Sequence, residues 1–315
     1  MRNIGIFGHA APSPFDRIDE LASVIAARIT QWATASAMRN IGPPRRRQTL
    51  VAALCVAPAL MCSAQAAECP RKDALGTARV LTVDAATSPR VGLKSFPQTL
   101  PLEDREVVLT FDDGPFPATD ARILAALAEQ CVQATFFLVG RQAAAHPDWV
   151  RRIAAAGHTI GHHTLNHPNI KLIKAEKAAG EIDRGIAAVE NALHGVATTT
   201  PSTPFFRYPY FSMTQPTLDE LEKRGIVVFG ADLWASDWNA MSAETQLKLL
   251  TERLRTAGKG IILLHDPRAQ TAAMLPAFLR YLRDNRYRVV HVVAKGSAKT
   301  AADLGKTKNT NNSNH

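Results

Sequence analysis

The chain has 315 residues, 46% hydrophobic and 21% charged, with 18 Gly and 19 Pro. That composition belongs to a globular protein of one large or two medium domains; it excludes collagen-like, coiled-coil and wholly disordered chains, and no stretch reaches the ~20 apolar residues of a spanning helix. The net charge of +9 sits at the ends, with seven Arg against three acids in residues 1 to 67 and four Lys against one Asp in residues 295 to 315. The body between them is left near neutral, which gives no electrostatic footprint for nucleic acid.

Met38-Arg39-Asn40-Ile41-Gly42 repeats Met1-Arg2-Asn3-Ile4-Gly5. Residues 1–37 therefore read as an upstream extension with translation expected from Met38. The alternative is a real amphipathic extension, since Ile18, Leu21, Ile25, Ile29 and Trp32 fall at helical spacing. Residues 38–67 carry a basic cluster at Arg45-Arg46-Arg47, an apolar stretch from Leu50 to Met61 and small residues through Ala64, Ala66 and Ala67. This is the pattern of a secretory signal peptide, and it predicts an exported protein, periplasmic or secreted, with no stable membrane anchor after cleavage. Cys55 and Cys62 leave with that signal, while Cys69 and Cys131 remain. In an oxidising compartment they form either a disulfide closing a loop of about 60 residues or two buried thiols.

Residues 68–104 read as a lead-in, 105–294 as one catalytic domain and the Lys/Thr/Asn-rich residues 295–315 as a disordered tail. Within the domain, apolar runs alternate with helical patterns. The runs are 107–113, 134–140, 158–163, 205–210, 226–232, 261–266 and 289–293. The helices are 119–130, one through 149–156, 174–193, one near 218–223, 242–257 and one through 277–283. Fully apolar strands flanked by helices imply a parallel α/β sheet, and seven such units close most economically into a barrel. A doubly wound open sheet is the alternative, although no Gly-x-Gly-x-x-Gly fingerprint follows the first strand.

Unusual polar residues collect at the ends of these runs, where a βα barrel builds its active face. Asp112-Asp113 is a crowded acid pair that needs a metal or an Arg if it leaves water; otherwise it is a solvated turn. His163 and His167, four apart, can present two imidazoles to one divalent cation. His158 and His162 share that spacing, but on an extended run residues four apart lie ~13 Å from each other. His265 is either a satisfied core histidine or, paired with Asp237, a proton donor. Arg207 can pair with the non-ligating Asp of the first strand.

Thr110-Phe111-Asp112-Asp113-Gly114-Pro115, His163-Thr164-Leu165-Asn166-His167-Pro168, Arg207-Tyr208-Pro209-Tyr210, Asp237-Trp238 and Leu263-Leu264-His265 resemble the five ordered motifs of the NodB-type polysaccharide deacetylases, carbohydrate esterase family four. The resemblance covers roughly residues 105 to 295. It implies a distorted (β/α)7 barrel and a metal-dependent hydrolase that removes N-acetyl groups from β-linked N-acetylglucosamine polymers or oligomers, releasing acetate. By the same resemblance Asp113, His163 and His167 hold one divalent ion, zinc or else cobalt, nickel or manganese. Asp112 is the general base, His265 the acid oriented by Asp237, and Arg207 the support of Asp112. Tyr210 contributes its backbone N–H to the oxyanion, and Trp238 and Leu263 wall the acetyl methyl. The expected partner is an N-acetylated polysaccharide or oligosaccharide, bound by a monomer. Two departures bear on substrate fit: Trp234 stands where the fourth motif usually has a further Asp, and Tyr208 replaces a proline of the third. An O-acetyl esterase acting on xylan-like chains and a glycan-binding pseudoenzyme are the competing readings.

Overall fold

The computed structural model describes Cys69 and residues 71–296; the expectations for residues 1–37, for the signal segment 38–67 and for most of the tail lie outside the described residues. Ten strands lie among the described residues: β1 (Thr77–Val83), β2 (Arg90–Val91), β3 (Glu106–Asp112), β4 (Thr135–Leu138), β5 (Thr159–His162), β6 (Phe205–Phe206), β7 (Val227–Phe229), β8 (Leu233–Trp234), β9 (Gly260–His265) and β10 (Arg288–Ala294). Seven helices accompany them: α1 (Pro117–Glu129), α2 (Gly140–Ala145), α3 (Pro147–Ala155), α4 (Ala175–His194), α5 (Gln215–Lys223), α6 (Ala243–Ala257) and α7 (Ala269–Asp284).

Every strand pairing is parallel. The bonded series runs from β8 through β9, β3, β4, β5, β6 and β7 to β2, with β10 and β1 branching from the start of β3. Because β7 and β8 are pieces of one continuous segment, that series returns on itself through the chain rather than through a further ladder. Asp232 holds the bend between them, its carboxylate accepting from Leu93 N at 2.8 Å, Thr99 Oγ1 at 2.8 Å and Ile261 N at 2.7 Å. The architecture is a parallel α/β sheet of the distorted-barrel kind that the family resemblance implies.

Side-chain alternation along the strands assigns the layers. On β3, Val107, Leu109 and Phe111 join Phe136, Ile262 and Leu264 in the layer beneath α1, α6 and α7, with Ile123, Leu250 and Phe278. Val108 points the other way, into a cluster with Phe137, Phe205, Phe229, Ile261 and Val290. Thr110 and Asp112 share the face of Val108, so the alternation that buries the core also aims Asp112 inward.

Two features differ from the sequence reading. The segment read as a lead-in supplies β1 and β2, which pair with β10 and β7. The apolar pattern of β1 is interrupted by Arg79, whose guanidinium binds the buried Glu106 at 2.6 Å and 2.8 Å. The run 226–232 is broken at Gly230-Ala231-Asp232, and only 227–229 and 233–234 are strands. Cys69 and Cys131 are joined, with Cα atoms 5.7 Å apart. Closing a loop of that length stabilises by about 4 kcal/mol in the chain-entropy account. No helix among the described residues is long and apolar enough to cross a membrane.

Candidate active site

The end of β3 carries the acid pair, and its two members turn apart. Asp112 is the last strand residue, and its Oδ1 accepts from Arg207 Nη1 at 2.7 Å. Arg207 is fully buried. It also donates to Thr110 Oγ1 at 2.8 Å, Gly230 O at 2.7 Å and Phe229 O at 3.4 Å, and its guanidinium stacks 4.3 Å from the Phe137 ring. A buried ion pair is costly to break from either side, by about 3–5 kcal/mol, because the orphaned charge stays in low dielectric. Asp113 leaves the strand with φ 79, a left-handed turn that swings its carboxylate to the opposite neighbour. There its Oδ1 lies 3.0 Å from His167 Nε2 and 3.6 Å from His163 Nε2. The turn needs a glycine next: a Cβ on Gly114 would come 1.8 Å from Asp266 Oδ2.

His163 follows β5 and points inward. Its Nδ1 lies 2.7 Å from Arg207 O, an atom that can only accept, so Nδ1 carries the hydrogen and the Nε2 lone pair faces Asp113. Burial, partly offset by Asp112, lowers its pKa to about 4, which leaves a neutral imidazole at neutral pH. Burial pushes Asp113 up, but the His167 hydrogen bond and the histidines around it hold its carboxyl below the ordinary range.

His167 reaches the same point through a loop rather than a helical turn, with Thr164 at φ 63 and His167 at φ 61. Several bonds fix that loop. Gly140 N and Arg141 N donate to Thr164 O and Leu165 O, and the buried Glu181 accepts from Asn166 N at 2.8 Å and Asn166 Nδ2 at 2.9 Å. Helix α4 lies so close that a Cβ on Gly185 would come 2.4 Å from Thr164 C. Glu181 did not figure in the sequence reading, although an acid on the apolar face of α4, between Ala178 and Ile182, is a legible signal.

The competing pair serves the scaffold. His158 Nδ1 accepts from Ala134 N at 3.2 Å. His162 lies 3.1 Å from Phe205 O through Nδ1 and 3.2 Å from Glu190 Oε1 through Nε2, on the outer face of β5 beneath α4.

Across the cleft, His265 ends β9. Its Nδ1 bonds Asp237 Oδ1 at 2.7 Å, and Asp237 Oδ2 accepts from His265 N at 2.8 Å and Thr271 Oγ1 at 2.7 Å. Burial favours the uncharged ring, but Asp237 and then the Asp112 and Asp113 charges outweigh it, so His265 holds its proton above the ordinary histidine range. Thr271 is a further residue that the sequence reading missed, and its threonine identity alone gives no signal. Beneath the Asp113 turn, Asp266 is completely buried against Asp120, and burial with that neighbouring charge raises it well above a normal carboxyl.

A cleft of about 560 Å³ opens over these groups, lined by Asp112, Asp113, His163, His167, Tyr210, Trp238, Leu263 and His265. All ten predicted site residues are thus close together or adjoining, with Asp237 and Arg207 behind the surface. Tyr210 sits in a tight turn at φ 56 rather than in an extended run, because β6 ends at Phe206. Trp238 meets His265 edge-on at 5.9 Å.

The donor set fits a divalent metal. One atom each from Asp113, His163 and His167 lies within 4.8 Å of the others. One carboxylate with two imidazoles is a borderline nitrogen–oxygen set, and Asp113 Oδ1 lies within 3.6 Å of Nε2 of both rings.

Comparison with known proteins gives the family. Residues 99–229 match the family model for polysaccharide deacetylase. A peptidoglycan-N-acetylglucosamine deacetylase of Bacillus cereus is 32% identical over 217 residues, 64% of this chain and 76% of the relative. The chain belongs to the polysaccharide deacetylase family. Another relative in this deacetylase family, a chitooligosaccharide deacetylase of Rhizobium leguminosarum bv. trifolii, is 44% identical over 95 residues, 30% of this chain and 44% of the relative. A solved peptidoglycan deacetylase of Bdellovibrio bacteriovorus superposes with a TM-score of 0.63 at 29% identity, covering 71% of this chain and 61% of that one. The matches to the first curated relatives span half of their length or less, 50% and 44%.

Proposed function

We propose that this polysaccharide deacetylase is an exported, monomeric hydrolase that removes N-acetyl groups from β-linked N-acetylglucosamine chains and releases acetate. The observation that carries the reading is the convergence of Asp113, His163 and His167 on one point, with Asp112 on one side and His265 on the other. Asp113, His163 and His167 hold one divalent ion, zinc or else cobalt, nickel or manganese. When bound, such an ion supplies positive charge that acidifies water and polarises an amide carbonyl.

The chain's own groups do the rest. Asp112, kept in place by Arg207, takes a proton from water as the oxygen adds to the acetyl carbon. The backbone N–H of Tyr210 donates to the carbonyl oxygen as charge develops there. As the carbon–nitrogen bond breaks, His265 Nε2 gives its proton to the departing amine, with Asp237 fixing the ring through Nδ1. Trp238 and Leu263 enclose the acetyl methyl.

Acetate release across a panel tests this reading. Chitin oligomers or peptidoglycan should yield acetate, chelator should abolish it and zinc should restore it. Acetate from acetylated xylan alone would favour the O-acetyl esterase, and glycan binding with no acetate from any substrate would favour the pseudoenzyme.

A further inference from the structure

Each carboxylate of the cleft already has its own partner: Asp112 has Arg207, Asp113 has His167 and Asp237 has His265. The cations that flank these groups do not. Arg268 follows the His265-Asp266-Pro267 turn and lines the cleft, and its Nε is buried with no partner. Among the described residues its side chain forms no ion pair or hydrogen bond. Lys94 lines the same cleft, with Nζ 4.7 Å from the centre of the Trp234 ring and no ion pair among the described residues. On the far side of Asp113, His167 and Tyr210 a second groove of about 240 Å³ continues the cleft, and Arg141, which forms no ion pair among the described residues, lines it.

A neutral glycan offers such cations only hydroxyl and amide oxygens. A carboxylate offers the guanidinium a planar, charge-matched acceptor, and a partly buried donor gains most from it. We propose that Arg268 is a specificity-determining residue, and that with Lys94 and Arg141 it makes the cleft select N-acetylated glycans that carry carboxylate groups over neutral ones. The inference rests on the deacetylase reading. The carboxylate can come from a lactyl ether on alternate sugars or from a uronic acid in the chain.

Binding and acetate release by the metal-loaded protein are to be measured on tetrasaccharides of equal length. One is neutral β-1,4-linked N-acetylglucosamine; one carries lactyl carboxylates on alternate sugars; one is its carboxamide; one alternates with a hexuronic acid. At low salt at least one acidic strand should bind about tenfold or more tighter than its neutral counterpart, and the acid that gains identifies the source. The gain should shrink in high salt. Arg268→Gln should lose about tenfold more on the acidic strand than on the neutral one, while Arg268→Lys keeps part of the preference. Equal binding of acid, amide and neutral strands by the unaltered protein would overturn the inference, as would an equal loss on all strands in Arg268→Gln. Acetate from every strand with no acidic preference defeats this inference alone. A clear preference with no acetate from any strand defeats the deacetylase reading alone.

Discussion

Two histidine pairs of identical spacing lie within ten residues of each other, 158 with 162 and 163 with 167, and only the second faces the cleft. The difference is one residue of strand register. Ile160 on β5 packs into the layer beneath the helices, so His158 and His162 share that outer face and bond to Ala134 N and Glu190. His163 falls on the inner face, the face of Gly161, which leans on Phe137. His167 then joins it by way of two left-handed residues that no helical turn would contain. Spacing makes a pair available; the side of the sheet and the loop behind it decide the use.

The largest effect should come from breaking the inner pair. His163→Ala should weaken metal binding by about 4 kcal/mol, roughly a thousandfold, whereas His162→Ala should leave metal content at the level of the unaltered protein; metal analysis after dialysis checks both. Equal losses in the two variants would erase the distinction. Next, Asp112→Asn should keep its metal while turnover falls by about 100-fold or more, as on losing a general base. Glu181→Ala should act less strongly than either, weakening metal binding about tenfold by freeing the Asn166 loop. Stopped-flow chelator competition would register it, and an unchanged dissociation rate would remove Glu181 from the account.

Smaller effects should fall on stability and pH. His162→Ala removes a buried partner of Glu190 and should cost about 1–3 kcal/mol in denaturant unfolding. His265 holds its proton above the ordinary histidine range, so activity should decline on the alkaline side only above that range. The same raised value stabilises the fold fully below pH 6.5, and that contribution is lost as pH rises through the folded-state value. Asp237→Asn should draw the alkaline limb of the rate profile toward acid by at least about one unit, and a limb that stays in place would assign it to another group.

Strand and helix order was legible because the core strands are apolar on both faces, so Val107 to Asp112 and Ile261 to His265 stand out from the Ala- and Leu-rich helices between them. The elements that escaped are those whose stability comes from elsewhere. β1 is half exposed and holds Arg79, which becomes intelligible only once Glu106 is placed opposite it. The start of α7 lies at Ala269, eight residues before the stretch read as helical, because Pro276 sits inside it. For the site, residues that carry the chemistry fall in short motifs at strand ends. Those that hold them, Glu181 and Thr271, lie on helices and approach only through the fold. The assignment of His163 over His162 needed the parity of β5, which the sequence carries in Ile160 and Gly161.

The central claim is that Asp113, His163 and His167 bind one cation beside Asp112. Anomalous diffraction at the zinc edge from crystals of zinc-loaded protein tests it most directly. A single strong peak about 2.0–2.2 Å from the Asp113 carboxylate and from Nε2 of both His163 and His167 is the predicted result. A peak between His158 and His162, or anywhere that leaves Asp113 uncoordinated, would contradict it.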